Sequence, residues 1–188
     1  QEWITEPEPG GNVVLTLDIG LQAYVENLLA EAVPKLPSEK KEGAACVVLD
    51  VKGADVLAAA SYPTFDLTNY AAELTEKGDD PLKPFLNRAF QGAYPPGSTF
   101  KMLTAVAGLE EENIITPTTV IRDEGQYNYY GPNGPKCWIF RQYGSKHGAV
   151  NVSKAIEVSC NYFFFDVGRQ LGIERLMDYA ARFGLGEK

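Results

Sequence analysis

The stretch Tyr94-Pro95-Pro96-Gly97-Ser98-Thr99-Phe100-Lys101-Met102-Leu103 constrains this chain more than any other. Two prolines stop whatever precedes them, and Gly97 lets the backbone turn before a run of helix-tolerant residues from Ser98 to about Glu112. Ser98 therefore falls in the first turn of a helix, where backbone N–H groups lack intrahelical acceptors. Lys101, three residues on, rises from the same face. A hydroxyl at the positive end of a helix, one turn from an amine, is the arrangement an activated serine nucleophile needs. The helix end favours a developing alkoxide, and a desolvated lysine can act as base.

The S-x-x-K pattern alone is weak, since about one chance match is expected in a chain of average composition and this length. Ser38-Glu39-Lys40-Lys41 matches it too, in a Pro/Lys/Glu-rich loop without apolar periodicity. Only Ser98 has a helix-start signal before it and an amphipathic run after it, and the plain alternative there is a serine that merely caps. A second motif, Ser159-Cys160-Asn161, sets a hydroxyl and a carboxamide on one side of a tight turn. Ser-x-Asn by itself is commonly a cap or turn. Beside a serine–lysine pair it supplies a hydroxyl to pass the proton onward and an amide to hold a substrate's amide groups.

A chain of 188 residues can bury a sizeable core. Its net charge of −8 argues against nucleic acid as a partner, because phosphate binding needs a basic face. The longest apolar runs, Ala44–Leu49 and Val56–Ala60, fall far short of the roughly 20 residues of a membrane span. No signal-peptide pattern is expected within the stretch given. Because the chain starts at Gln1 and not Met, its true N-terminus is expected to lie elsewhere, so the lack of an anchor here says little about the parent protein. Cys46, Cys137 and Cys160 show no C-x-x-C spacing, and His147 has no second histidine, so neither a disulfide framework nor zinc is expected, nor any other cofactor. Cys46 reads as a buried thiol and His147 as a structural or turn residue.

Residues 1–12 read as a linker. Val13–Leu17 reads as a short strand, and Asp18 as the cap of a helix from about Gly20 to Val33 with Leu21, Tyr24, Val25, Leu28, Leu29 and Ala32 along its apolar stripe. Ala44–Asp50 and Asp55–Ser61 form a hairpin whose first strand, apolar throughout, should be covered on both faces. Residues 62–94 read as mostly irregular. Met102, Leu103, Ala105, Val106 and Leu109 form the apolar face of the Ser98 helix. Residues 113–150 are turn-rich and aromatic, with short strands expected near Thr119–Asp123 and Cys137–Phe140. Helices are expected over Val152–Val158, Tyr162–Gly172 and Ile173–Phe183, the last stopped by Gly184.

The chain resembles the transpeptidase domain of the monofunctional (class B) penicillin-binding proteins. The likeness is carried by Val13–Asp18 with Leu21-Gln22, Ala60-Ser61-Tyr62-Pro63, Asn87-Arg88-Ala89, Tyr94–Lys101, His147-Gly148, Val158–Asn161 and Phe183-Gly184-Leu185-Gly186. It implies an α+β fold of the β-lactamase/transpeptidase type, an antiparallel sheet flanked by helices. It also implies a peptidoglycan D,D-transpeptidase acting on D-Ala-D-Ala stem peptides through a serine acyl-enzyme, with β-lactams as slow substrate mimics. By the same likeness Ser98 is the nucleophile, Lys101 the general base, Ser159 the proton shuttle, and Asn161 a substrate-binding residue that also contacts the lysine. The backbone N–H of Ser98 would form half of the oxyanion hole.

The family's Lys-Ser/Thr-Gly box has no counterpart here. Residues 13–188 are accordingly expected to be an N-terminal portion of such a domain, holding one hairpin of the sheet, inactive alone and prone to self-associate at its hairpin edge. By the same resemblance the parent is expected to be membrane-anchored, in a cell-wall synthesis complex on the extracytoplasmic face of the bacterial cytoplasmic membrane. Alternatives on the same fold are a β-lactam sensor and a serine β-lactamase, which a fast deacylation rate would single out.

Overall fold

The computed structural model describes residues 9–37 and 43–186, so the second S-x-x-K match at Ser38–Lys41 and most of the expected linker lie outside the described residues. Contacts divide the chain into two units, one up to Tyr94 and one from Pro95 onward.

In the first unit, the Asp18 carboxylate accepts from Leu21 N at 2.9 Å and starts α1, Ile19–Ala32. The hairpin follows as β1, Ala44–Leu49, paired antiparallel with β2, Val56–Tyr62, in a register running from Ala44 opposite Tyr62 to Leu49 opposite Val56. Val25 of α1 packs on Ala58 and Ala60 of β2, flanked by Leu21, Leu29, Cys46 and Val48. Small residues in β2 let the helix approach closely. Gln22 then closes part of the outer edge of β2: its Oε1 accepts from Ala59 N at 2.8 Å and its Nε2 donates to Ala59 O at 3.1 Å.

Several expectations need correcting here. Val13–Leu17 has no strand ladder and is largely exposed. The Thr16 hydroxyl donates to Val56 O, and just after the stretch Asp18 N donates to Leu57 O, tying it to β2. Tyr24 and Leu28 face solvent. Burial alternates along β1, leaving Val47 43% and Leu49 52% exposed, so one face of this strand is covered and not both, and Cys46 is only half-buried. Residues 62–94 are more ordered than their prolines suggest, with α2 at Tyr70–Lys77 and the short α3 at Arg88–Gln91. Arg88, buried, donates to the carbonyls of Leu82 and Lys83 and so ties that stretch together.

The second unit opens with the 3-10 turn Gly97–Thr99, where Gly97 has φ of 58°, a conformation that only glycine adopts without strain. It continues into α4, Phe100–Glu110. Then come β3, Ile121–Asp123; α5, Trp138–Tyr143; β4, Gly148–Val150; α6, Val152–Glu157; and α7, Asn161–Arg182, which breaks at Gly172. β3 and β4 pair antiparallel, with Asp123 opposite Gly148. Cys137–Phe140, expected as a strand, is instead the start of α5, because a short apolar run fits either structure; the helix ends in a left-handed Gly144 whose N–H donates to Phe140 O. Leu103, Ala105 and Ala107 of α4 meet Phe163, Val167 and Leu171 of α7 in the core, whereas Met102 and Leu109 are exposed, contrary to the face read from the sequence.

Two outcomes follow from this packing. Phe163 is fully buried, so Phe163→Ala is expected to cost about 3–5 kcal/mol of stability in urea denaturation followed by helical circular dichroism. A loss under about 1 kcal/mol would contradict the core described. The outer edge of β1 has no ladder partner among the described residues, and Val47 beside it is exposed. Sedimentation velocity should therefore detect concentration-dependent self-association that Val47→Lys reduces.

Candidate active site

Ser98 and Lys101 leave the same side of the turn that opens α4, and the turn before α7 delivers Ser159 and Asn161 to them. Lys101 Nζ lies 3.2 Å from Ser98 Oγ, 2.9 Å from Ser159 Oγ, 2.8 Å from Ser159 O and 2.6 Å from Asn161 Oδ1. The Ser159 hydroxyl is 3.0 Å from Ser98 Oγ. The amine and the two hydroxyls thus form a triangle with every side near hydrogen-bond length. All four residues singled out in the two motifs meet at one point.

The donor and acceptor inventory of this cluster is informative. Ser159 O and Asn161 Oδ1 bear no protons and can only accept. They take two N–H groups of the amine. A neutral amine then has its lone pair left for a hydroxyl to donate to, so the surroundings accommodate the uncharged lysine with every polar atom paired. Burial drives Lys101 in the same direction, lowering its pKa below the usual lysine value against a smaller opposing influence of Cys137 and Cys160. Ser98 itself remains exposed, which leaves its hydroxyl accessible from solvent.

The Ser159 turn is built as a helix C-terminus. Cys160 N donates to Ala155 O at 2.8 Å and Ser159 N to Ile156 O at 3.1 Å, the paired bonds of a Schellman motif closing α6. The residue at the left-handed position of that motif is commonly glycine. Here it is Ser159, with φ of 52°. A non-glycine residue held there costs on the order of 1 kcal/mol, and what it gains over glycine is a hydroxyl facing Lys101. Trp138 Nε1 donates to Val158 O at 3.1 Å and steadies the same turn from α5.

Behind the turn lies a group that the sequence reading missed. The Asp123 carboxylate, 1% exposed, accepts from Gly125 N at 2.7 Å, from His147 N at 3.2 Å and from the Cys160 thiol at 3.6 Å, and pairs with His147 Nδ1 at 2.8 Å. Burial alone would raise its pKa, but the bonds from Gly125 and His147 outweigh that and hold it below the usual carboxylate value. Cys137 Sγ is 3.4 Å from His147 Nδ1. Among the described residues, this is the set of side chains able to hold a metal ion. No motif spacing announced it, because its members are at least ten positions apart and meet only in the fold.

A third cluster fixes the aromatic loop. Tyr127 donates its hydroxyl to Asp166 at 2.6 Å, Arg169 bonds both, and the Arg169 guanidinium lies 4.0 Å over the Tyr129 ring. Burial raises Asp166, yet the bonds from Tyr127 and Arg169 prevail and keep it low, while burial and Asp166 push Tyr127 up to about 12.

Residues 44–188 match the family of the penicillin-binding protein transpeptidase domain. The peptidoglycan D,D-transpeptidase MrdA of Escherichia coli K12 is 35% identical over 185 residues, covering 96% of this chain and 27% of the relative. The solved structure of Pseudomonas aeruginosa PBP2 superimposes with a TM-score of 0.79 at 33% identity, over 96% of this chain and 39% of that one. The complex of PBP2 with MreC from Helicobacter pylori matches with a TM-score of 0.75 at 31% identity, over 92% and 30% respectively. The chain thus spans about a quarter of the length of the curated relative it matches. These neighbours have the α+β transpeptidase fold expected from the sequence.

Ser159→Gly and Ser159→Ala remove the same hydroxyl and differ only in the backbone they leave behind. The glycine variant is expected to be more stable by about 1 kcal/mol in paired denaturant titrations. Equal stabilities would mean that the left-handed turn carries no strain.

Proposed function

Because this chain belongs to the transpeptidase domains of the class B penicillin-binding proteins, we propose that it serves a D,D-transpeptidase that cross-links peptidoglycan stem peptides through an acyl-enzyme on Ser98. The observation that carries the reading is the triangle of Ser98 Oγ, Lys101 Nζ and Ser159 Oγ, with the amine's N–H groups already taken by carbonyl oxygens.

In this reading neutral Lys101 takes the proton of Ser98 as its oxygen attacks the carbonyl carbon of the penultimate D-alanine. The proton passes through Ser159 to the departing terminal D-alanine. The Ser98 N–H, in the opening turn of the helix, faces the oxyanion. Asn161 divides its amide between two tasks, its oxygen holding Lys101 and its nitrogen meeting the amide groups of the acyl donor. An amine from a second stem peptide then attacks the ester, with the same lysine and serine moving protons in reverse. A β-lactam enters by the same acylation and leaves an ester that persists. The relatives do not favour the β-lactamase or sensor alternatives.

We further place the protein on the outer face of the cytoplasmic membrane, where its substrate is, within a wall-assembly complex. The Helicobacter pylori PBP2 that is similar to this chain was solved together with MreC, which supports a partner of that kind. Among the described residues, no helix is long and apolar enough to cross a membrane.

Intact mass after prolonged incubation with a penicillin should reveal one adduct, absent from Ser98→Ala. An adduct retained by that variant would overturn the assignment. Since the base is the uncharged lysine, acylation should speed up as pH rises through the lowered Lys101 pKa and level off above it. Lys101→Met should reduce the rate by about 10²–10⁴-fold and abolish that pH dependence.

A further inference from the structure

Val158 ends α6, and the last carbonyls of a helix have no acceptor role left inside it. Trp138, the first residue of α5, donates its indole N–H to Val158 O at 3.1 Å. At the other end of the same peptide unit, Ser159 N donates to Ile156 O at 3.1 Å. The peptide plane between Val158 and Ser159 is therefore held on both sides, once by a side chain from another helix.

What flanks that plane gives the bond its weight. Val158 has φ of −94° and ψ of 5°, and Ser159 has φ of 52°. Because a peptide unit is rigid, turning it over changes the ψ before it and the φ after it by about 180° each and leaves the Cα atoms near their places. Such a flip would carry Val158 into the extended region and Ser159 out of the left-handed one. It would relieve the strain at Ser159 while breaking both bonds that hold the plane. Ser159 N is also one of the atoms that fix where Cβ points. A flip thus tilts the side chain away from contacts of 2.9 Å to Lys101 Nζ and 3.0 Å to Ser98 Oγ.

We propose that Trp138 is a positioning residue for Ser159: its indole N–H locks the peptide plane that would otherwise turn over and draw the hydroxyl away from Lys101 and Ser98. A half-buried tryptophan needs some acceptor for its N–H. Ordinary packing does not require that acceptor to be the carbonyl whose release unstrains the turn.

The indole is itself held from behind, by the aromatic loop that precedes it. Two arms of that loop are tied together by Tyr127 N on Pro135 O at 2.9 Å and by Gln126 Nε2 on Pro132 O at 2.8 Å and Gly134 O at 3.1 Å. A Cβ at Gly134 would collide with Tyr127 O, so glycine permits the close approach. The first arm is fastened to α7 through Tyr127, whose ring meets Tyr162 edge to face at 5.1 Å and whose hydroxyl is bonded to Asp166 and Arg169. The second arm runs into Trp138. One loop thereby grips the catalytic turn at both ends, at Val158 just before Ser159 and at Tyr162 just after Asn161.

Hydrogen exchange followed by NMR on the whole chain tests the lock. With Trp3→Phe leaving a single indole, the Trp138 N–H should exchange at least about 10-fold more slowly than free indole. Trp138→Phe keeps a ring and removes the donor. It should speed exchange of the Ser159 amide about 5–10-fold, while the amides of buried Val167 and Leu171 keep their rates. Adding Ser159→Gly, which frees the left-handed backbone of strain, should slow the residue 159 amide again by about 5-fold after correction for intrinsic rates. A tryptophan that merely packs would move every amide of the unit alike, or none, and glycine would rescue nothing. Should Trp138→Phe not fold, β-(3-benzothienyl)alanine at this position, which exchanges only the N–H for sulfur, gives the same comparison. An unprotected indole, unchanged exchange at residue 159, uniform acceleration or absent rescue would each overturn the lock. The catalytic consequence rests on the transpeptidase reading, whereas a lock established by exchange stands whether or not Ser98 acylates. Under that reading, the penicillin adduct on Ser98 should form at least about 10-fold more slowly in Trp138→Phe. An unchanged rate beside a faster-exchanging turn would overturn the positioning role.

Discussion

A lysine amine enclosed by oxygen atoms from a distant turn is the contact on which this structure depends. Lys101 Nζ draws on Ser98 from its own helix and on Ser159 and Asn161 from the turn before α7. An ammonium ion in that position would be stabilised by the same oxygens, so their presence alone does not decide the charge. Burial decides the direction, since it penalises the ion and not the amine. The carbonyl oxygens then matter in another way: they occupy the amine's N–H groups and leave its lone pair toward the hydroxyls. Base strength and orientation come from different parts of one shell.

Holding that geometry requires both turns to be rigid, and each is fixed by a different device. The Ser98 turn is set by proline, by the positive φ of Gly97 and by the Thr99 hydroxyl on Pro96 O at 2.6 Å. The Ser159 turn is set by the two bonds that close α6, by Trp138 and by the buried Cys160 behind it. Between them, the packing of α4 on α7 through Phe163 and Val167 sets how far apart the turns stand. The left-handed backbone at Ser159 is the one place where local preference yields to the need for a hydroxyl.

What could be read from the sequence was what is encoded locally. A proline–glycine break followed by a helix places Ser98 and Lys101 without any tertiary information, and Asp18 announces its helix by capping chemistry. The meeting of Ser98 with Ser159 across the fold was reached through the chemistry that a serine–lysine pair needs and through family likeness, since nothing in the spacing requires it. The failures share a cause. Val13–Leu17 has strand-like composition, yet a strand exists only where a partner offers a ladder, and the partner edge here is met by the Thr16 and Gln22 side chains and the Asp18 N–H. Cys137–Phe140 is too short for periodicity to separate strand from helix. The uniform apolarity of β1 suggests two covered faces but cannot say which neighbour covers each. Asp123, read only as the end of a short strand, and His147, read as a structural or turn residue, prove to be a buried pair because β3 and β4 align the segments that carry them.

The two polar clusters around the Ser159 turn are opposites in chemistry, and this explains why they can lie so close. In front, Lys101 and the hydroxyls hold mobile protons and a lone pair that must stay available. Behind, Asp123, His147 and two thiols concentrate acidic and soft donors in a sealed space. Were the rear cluster to ionise without compensation, its negative charge would favour the protonated lysine, as the opposing influence of Cys137 and Cys160 on Lys101 already indicates. Neutralising the rear of the turn and keeping Lys101 uncharged at its front are therefore one electrostatic requirement, met through a single residue, Cys160, placed between the two that face the lysine.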